Sequence, residues 1–470
     1  KKMKIALVVI LLALGLCSSA KKITSLPGYN GPELSMYSGY ITLNEKTGKS
    51  YFYWLVESQS STPNTDPLIV WYQGGPGCSG LYGLMVESGP LRPDGNGGLQ
   101  YNNIAWTNFA NVLYLEQPTG VGFSYSNHSS DYNSNDTEAA NDNFVFLQLF
   151  LKEFPNYIGR KTWLTGESYA GVYIPTLTGV ILSNPQSQIA QQLTGLTLGN
   201  PCIWCTSANY NTIQMDEFYF RTLVSHYVYQ NWTSSGCREN NNNEICQDIL
   251  NTAQKQIGVI DQQKRQEEFQ PSFDPDDLYQ DFCTGNGTLE FALNQGYPNT
   301  CNPVGNEQTA YLNRADVQAA IGAKSIAWSG CSGINYDAFL TSMIPLYQLF
   351  FATRPDLNIL VYSGDVDVAT VPFGITQACL AELGEPPVEP WQPWFVNGAT
   401  AGYVETYKHY TYATVKGGGH ETPQYQPLTS YEMIQSFITT GTLNTQIPKN
   451  RASKRLTQGK ILRNMMNKFY

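Results

Sequence analysis

Histidine is scarce in this chain, at four in 470 residues, and charged residues make up only 14% of it. Cys202 and Cys205 form a C-x-x-C, but no cluster of the four His and ten Cys has the spacing of a zinc site. No metal and no cofactor is expected. Basic residues are also short, 28 against 38 acidic, for a net charge of −10. Such a balance removes the electrostatic reason to bind nucleic acid or anionic lipid. Long apolar runs are missing too. The best, Ile5 to Leu16, has 12 residues, against the roughly 20 that span a bilayer. No membrane span is expected, and no internal repeat points to a solenoid.

What is present is aromatic area. Phe, Trp and Tyr make 13% of the residues, with 31 Tyr, enough to bury a large core and to exclude extensive disorder. Lys1, Lys2 and Lys4 precede the apolar run, and Ser18-Ser19-Ala20 follows it. This is the pattern of a signal peptide over residues 1–20. Its removal takes three lysines and no acid, so the charge moves from −10 to −13. Cys17 leaves with it, and nine cysteines remain for an oxidising compartment, an odd number that leaves one unpaired. Sequons at Asn127, Asn135, Asn231 and Asn286 are candidate glycosylation sites, hence surface positions. The expected destination is the secretory pathway, ending in a lysosome or vacuole or outside the cell.

The chemistry centres on Gly166-Glu167-Ser168-Tyr169-Ala170-Gly171, a G-x-S-x-G pattern. Trp163 and Leu164 lead in as a strand, and Ala170 to Leu182 leads out as a helix. In that context the pattern is a nucleophile elbow, with Ser168 at the apex and the Tyr169 N–H turned toward a forming oxyanion. Elsewhere, residues 37–58 read as two strands around a polar turn, Asn44 to Gly48. Leu68 to Tyr72 is a buried strand that runs into Gln73-Gly74-Gly75-Pro76-Gly77-Cys78. Glycines there let backbone N–H groups approach a ligand, as the second oxyanion donor must. Asn111 to Gln117 is another strand and residues 136–154 a helix, so the elbow strand closes a right-handed crossover.

After a strand from Leu193 to Asn200 the composition changes. Residues 201–309 are rich in Asn, Gln and Cys, and read as an inserted, disulfide-stapled cap between two parts of a core, 21–200 and 310–445. The segment 446–470 is a basic tail. Asn358 to Ser363 and Tyr410 to Lys416 are the later strands. The first ends in Gly364-Asp365-Val366-Asp367 and the second in Gly417-Gly418-Gly419-His420. Serine needs a base, and the base needs a carboxylate to fix its tautomer. The order Ser168, Asp, His420 is that of α/β-hydrolases, and on spacing alone Asp365 competes with Asp367. The expected fold is α/β: a mostly parallel sheet flanked by helices.

Trp71 to Gly80, Glu116 to Ser126, Gly166 to Gly171 and His420 with Pro423 together make the chain resemble the serine carboxypeptidase family, from Ser25 to about Gly441. The resemblance implies Ser168, Asp367 and His420 as catalytic triad, with Gly75 and Tyr169 as oxyanion hole. It implies that Gln73, Glu87 and Glu167 bind the free C-terminal carboxylate of a peptide. It places Glu421 beside the pocket of the leaving residue. It implies the disulfides Cys78–Cys331, Cys237–Cys246 and Cys283–Cys301, leaves Cys202 and Cys205 unassigned, and makes Cys379 the free thiol. The implied partners are peptide or protein C-termini, and a homodimer is compatible with the sequence. The family usually has Asn where this chain has Gln73. Related plant acyltransferases keep the triad and also alter that position, so acyl transfer is the alternative activity.

Overall fold

The computed structural model describes residues 20–205, 209–241, 243–257, 276–279, 281–282, 301–302 and 307–446. The apolar segment before residue 20, Asn286, the Cys283–Cys301 pairing and the basic tail lie outside the described residues.

Eleven strands form the central sheet: β1 (Lys21–Ile23), β2 (Met36–Asn44), β3 (Lys49–Val56), β4 (Leu68–Tyr72), β5 (Asn111–Leu115), β6 (Thr162–Glu167), β7 (Leu193–Gly199), β8 (Asn358–Gly364), β9 (Glu389–Val396), β10 (Ala399–Thr406) and β11 (Thr411–Val415). Their spatial order is β1-β2-β3-β5-β4-β6-β7-β8-β11-β10-β9. The six strands from β5 to β11 are parallel to one another, and the strands on either flank are antiparallel. The central strands are buried on both faces, which is why they read as unbroken apolar runs. On β3, Tyr51, Tyr53 and Leu55 enter one core, while Phe52, Trp54 and Val56 enter the other.

Helix α1 (Asp136–Glu153) starts at Asn135, whose Oδ1 accepts from the Thr137 and Glu138 N–H groups. Phe146, Leu147, Phe150 and Leu151 form its buried face, and each such side chain stabilises the fold by about 1.5–3 kcal/mol. Helix α2 (Ala170–Leu182) packs beside it, carrying the chain away from the elbow.

The hairpin of β9 and β10 was not expected from the sequence. Pro390 and Pro393 speak against a strand, but β9 is the sheet edge, where a missing N–H costs no ladder bond.

The inserted segment carries α3 (Tyr210–Phe220), α4 (His226–Ser234) and α5 (Glu244–Gln256), which share a small core with the Cys237–Cys246 disulfide. Cys78–Cys331 is also formed. Cys379 is not the free thiol: it pairs with Cys205, and among the described residues Cys202 is free. The C-x-x-C spacing placed Cys202 and Cys205 close in sequence, whereas the third party arrives from 174 residues away. Asn127 and Asn231 are exposed, and Asn135 is half-buried in its capping role. No described helix is long and apolar enough to cross a membrane.

Candidate active site

The elbow is built as the local sequence requires. Ser168 has φ +58°, a left-handed conformation that a non-glycine residue adopts only under constraint. The constraint is a clasp: its N–H donates to the Gly199 carbonyl at 3.0 Å, and its own carbonyl accepts from the Gly171 and Cys202 N–H groups, each at 2.9 Å. Gly166 has no room for a Cβ, which would stand 2.2 Å from the Tyr72 carbonyl oxygen. Gly74 brings the loop after β4 against the elbow; a Cβ there would lie 2.5 Å from Ser168 Cβ and 2.8 Å from the Tyr169 nitrogen. The next residue, Gly75, is exposed and has φ +114°. The Gly74–Gly75 loop and the elbow are thus in contact through backbone.

Asp367 follows β8 and His420 follows β11. His420 Nδ1 bonds Asp367 Oδ2 at 2.7 Å, both side chains buried, so Nε2 is the ring nitrogen left for a second partner. Asp365, the competitor, instead accepts the Gly417 N–H at 2.7 Å. The other imidazoles are elsewhere: His128 bonds Ser130 at 2.8 Å, His226 bonds Tyr219 at 3.1 Å, and His409 bonds Glu385. Asp367 is further held by the Thr370 N–H, the Val371 N–H and Asn200 Nδ2, each at 3.0 Å. For His420, burial disfavours the imidazolium, but the adjacent Asp367 carboxylate, with Glu421 and Asp276 beyond it, outweighs this and raises its pKa.

Sequence reasoning missed Asn200 and Asp276. Asn200, at the end of β7, lies between the strands that lead to Ser168 and Asp367. Its amide reaches Asp367, and its Oδ1 accepts from the Gly364 N–H and Thr422 Oγ1. The signal was a Gly-Asn-Pro turn after a buried strand, with nothing to say what the amide would meet. Asp276 belongs to the inserted segment. Its carbonyl accepts the His420 N–H at 2.7 Å, and Leu278 N–H reaches the Val366 carbonyl at 3.0 Å. The insert therefore clasps the loops of both Asp367 and His420.

A second buried cluster stands beside the elbow. Gln73 Nε2 donates to Glu87 Oε1 at 2.8 Å and to Glu167 Oε1 at 2.6 Å, while Trp71 Nε1 donates to Gln73 Oε1 at 2.7 Å. The indole fixes which way the amide faces. No N–H or hydroxyl of the described residues reaches Glu87 Oε2 or Glu167 Oε2, which leaves each to the other carboxyl. Burial lifts the Glu167 pKa well above the usual carboxylate range, and the neighbouring Glu87 charge adds to it; burial raises Glu87 as well, against the opposing effect of hydrogen bonds from Glu167 and Gln73. Two buried carboxyls held by one amide cannot both ionise cheaply, which favours sharing a proton. Glu421, partly buried, directly follows His420. Among the described residues no three His, Cys, Asp or Glu side chains converge as a metal site.

A parallel sheet, a strained serine at a strand–helix elbow and a His–Asp pair at the carboxyl ends of neighbouring strands define an α/β-hydrolase. Within that class, the serine carboxypeptidase family model matches residues 27–440, and the chain belongs to that family. It is 34% identical over 444 residues to serine carboxypeptidase-like 25 of Arabidopsis thaliana, covering 90% of this chain and 92% of the relative. It is also 34% identical over 452 residues to serine carboxypeptidase 24 of the same plant, covering 89% and 91%. The crystal structure of Kex1(Δ)p, a prohormone-processing carboxypeptidase from Saccharomyces cerevisiae, shares the fold with a TM-score of 0.68 at 22% identity, covering 88% of this chain and 94% of that one.

Proposed function

We propose that the protein is a serine carboxypeptidase that releases C-terminal amino acids from peptides at acidic pH. The observation that carries this reading is the Gln73–Glu87–Glu167 cluster, a buried proton-sharing pair beside the nucleophile. Protonated, the pair donates hydrogen bonds to the terminal carboxylate of a substrate; fully ionised, it repels that carboxylate. Ser168 Oγ attacks the last peptide carbonyl while His420 Nε2 takes its proton, and Asp367 holds Nδ1 and the tautomer. The Gly75 and Tyr169 N–H groups receive the oxyanion. His420 returns the proton to the leaving amine, and water hydrolyses the acyl-enzyme by the same route in reverse. Glu421 lies at the leaving residue's pocket and favours basic leaving residues while ionised. An acidic compartment of the secretory pathway, lysosome or vacuole, suits this pH dependence. The three disulfides among the described residues fit an oxidising environment.

Acyl transfer to an alcohol is the second reading, favoured by Gln73 at the carboxylate-binding position. It uses the same acyl-enzyme. Blocked dipeptides with a free C-terminus, compared with the same dipeptides amidated, test the proposal. Release of amino acid from the free acids, with the amides poor at pH 5, supports it. Equal rates on both, or a new ester when an alcohol is supplied, favours the transferase.

A further inference from the structure

Asp136 is fully buried and takes no part in the chemistry described so far. It opens helix α1, yet Asn135 already caps that helix, so the Asp136 carboxylate is free to serve another structure. Its Oδ1 accepts from Tyr169 Oη at 2.8 Å and Tyr336 Oη at 3.0 Å. Its Oδ2 accepts from the Phe339 and Leu340 N–H groups at 3.1 and 3.0 Å. Four donors thus converge on one carboxylate, and one of them belongs to the residue after Ser168. The rings of Tyr169 and Tyr336 meet edge to face, with centroids 5.7 Å apart.

The segment around Tyr336 also reaches the other side of the site. Ser79 N–H donates to the Gly330 carbonyl and Ser332 N–H to the Gly77 carbonyl, each at 2.8 Å, and Cys78 is bonded to Cys331. Asn335–Asp337 then pairs in parallel with Asn133–Asn135, immediately before Asp136. Residues 330–340 therefore run from the loop of Gly75 to the side chain of Tyr169. The segment is largely exposed and has no helix of its own. The disulfide and two backbone hydrogen bonds anchor it at one end, and the short strand pairing and Asp136 anchor it at the other.

We infer that Asp136 is a positioning residue that sets the spacing between the two oxyanion donors, by pinning Tyr169 and the 330–340 strap to one carboxylate. The inference rests on the proposed roles of Gly75 and Tyr169, and applies equally to hydrolysis and acyl transfer. Both pass through a tetrahedral intermediate whose oxyanion must meet both N–H groups.

The test uses an ester substrate and a peptidyl boronate, whose tetrahedral adduct on the serine mimics that intermediate. Asp136→Ala and Tyr169→Phe should each lower kcat on the order of 10- to 100-fold, with KM little changed. Boronate affinity should fall by the same factor as kcat. Asp136→Asn should restore most activity, since its amide can turn Oδ1 to the two backbone N–H groups and Nδ2 to the tyrosine hydroxyls. The double variant Asp136→Ala/Tyr169→Phe should be no worse than Asp136→Ala. A lower Tm with kcat and boronate affinity intact would reduce Asp136 to a structural residue, as would losses that add in the double variant. Should Asp136→Ala not fold, Tyr169→Phe alone decides, because it deletes one hydroxyl and keeps the ring. A wild-type chain that neither cleaves esters nor binds the boronate would overturn the proposed function instead.

Discussion

Two sets of acids are buried at the same end of the sheet, and they differ in their supply of donors. Asp367 receives His420 Nδ1, Asn200 Nδ2 and the backbone N–H groups of Thr370 and Val371. Glu87 and Glu167 share the single amide of Gln73, and beyond each other their second oxygens have no N–H or hydroxyl donor from the described residues. Burial is common to both sets, so burial does not decide what each can do. A carboxylate surrounded by donors is equipped to face an imidazolium, while a pair short of donors must supply its own proton. One site thereby holds an acceptor and a donor made from the same functional group.

The sharpest way to break the comparison is to remove what both sets serve. Ser168→Ala is expected to cost on the order of 10⁶ in kcat, and a fluorophosphonate probe should label the wild type at Ser168 alone. Labelling of another residue with full activity in the variant would displace Ser168. Next in size is the donor-rich acid. Asp367→Asn keeps the shape but presents the wrong tautomer to His420, for a loss of about 10⁴ in kcat. It should act alike on free-acid and amide substrates; a loss confined to one of them would show that the two sets are not separate.

The donor-poor pair should instead act through KM and only on free acids. Its raised pKa keeps the proton above the usual carboxylate range. As pH climbs through that raised value the proton leaves, and KM for a free-acid peptide should rise by at most about tenfold per pH unit. Amide and ester substrates should hold or gain activity over the same range, because the proposed mechanism needs His420 neutral to act as base. Glu167→Gln should flatten the KM profile. Parallel profiles for acid and amide in the wild type would remove the pair from substrate recognition.

The smallest effect belongs to Glu421, between the two sets. Its negative charge helps to raise the His420 pKa, so Glu421→Gln should move the acid limb of kcat/KM on esters to lower pH. At pH 6 the same variant should reduce the preference for Lys over Leu as leaving residue, on the order of threefold, as a partly exposed charge pair allows. An unchanged Lys-to-Leu ratio would take Glu421 out of the leaving-residue pocket.

How much of this was legible beforehand depended on sequence distance. The elbow is local: a strand, two small residues and a helix within about 20 positions state their own geometry, and the structure has helix α2 over the residues read from the pattern. The strand-end positions of Asp367 and His420 were legible because buried parallel strands write themselves as apolar runs. The choice between Asp365 and Asp367, and the Gln73–Glu87–Glu167 cluster, needed the family resemblance; no periodicity links residues 14 and 94 positions apart. Asn200, Asp276 and Asp136 carried no signal that either reading used, since a lone Asn, a lone Asp and the first residue of a helix each have commoner uses. The Cys205–Cys379 bond was misjudged for the same reason. Pairing is a property of the folded sheet, and the spacing of cysteines does not encode it.

The amide of Asn200 meets Asp367 across 167 residues of chain. During synthesis that interval takes about 10–30 s, at the usual 5–20 residues per second. Throughout it the emerging protein carries its serine, its oxyanion loop and its carboxylate pair, but no acid or base to activate them. His420 arrives later still, and its backbone must then find Asp276 in the insert. On the proposed assignment of Ser168, Asp367 and His420, the triad is therefore complete only after the last strand of the parallel set, β11, has been made.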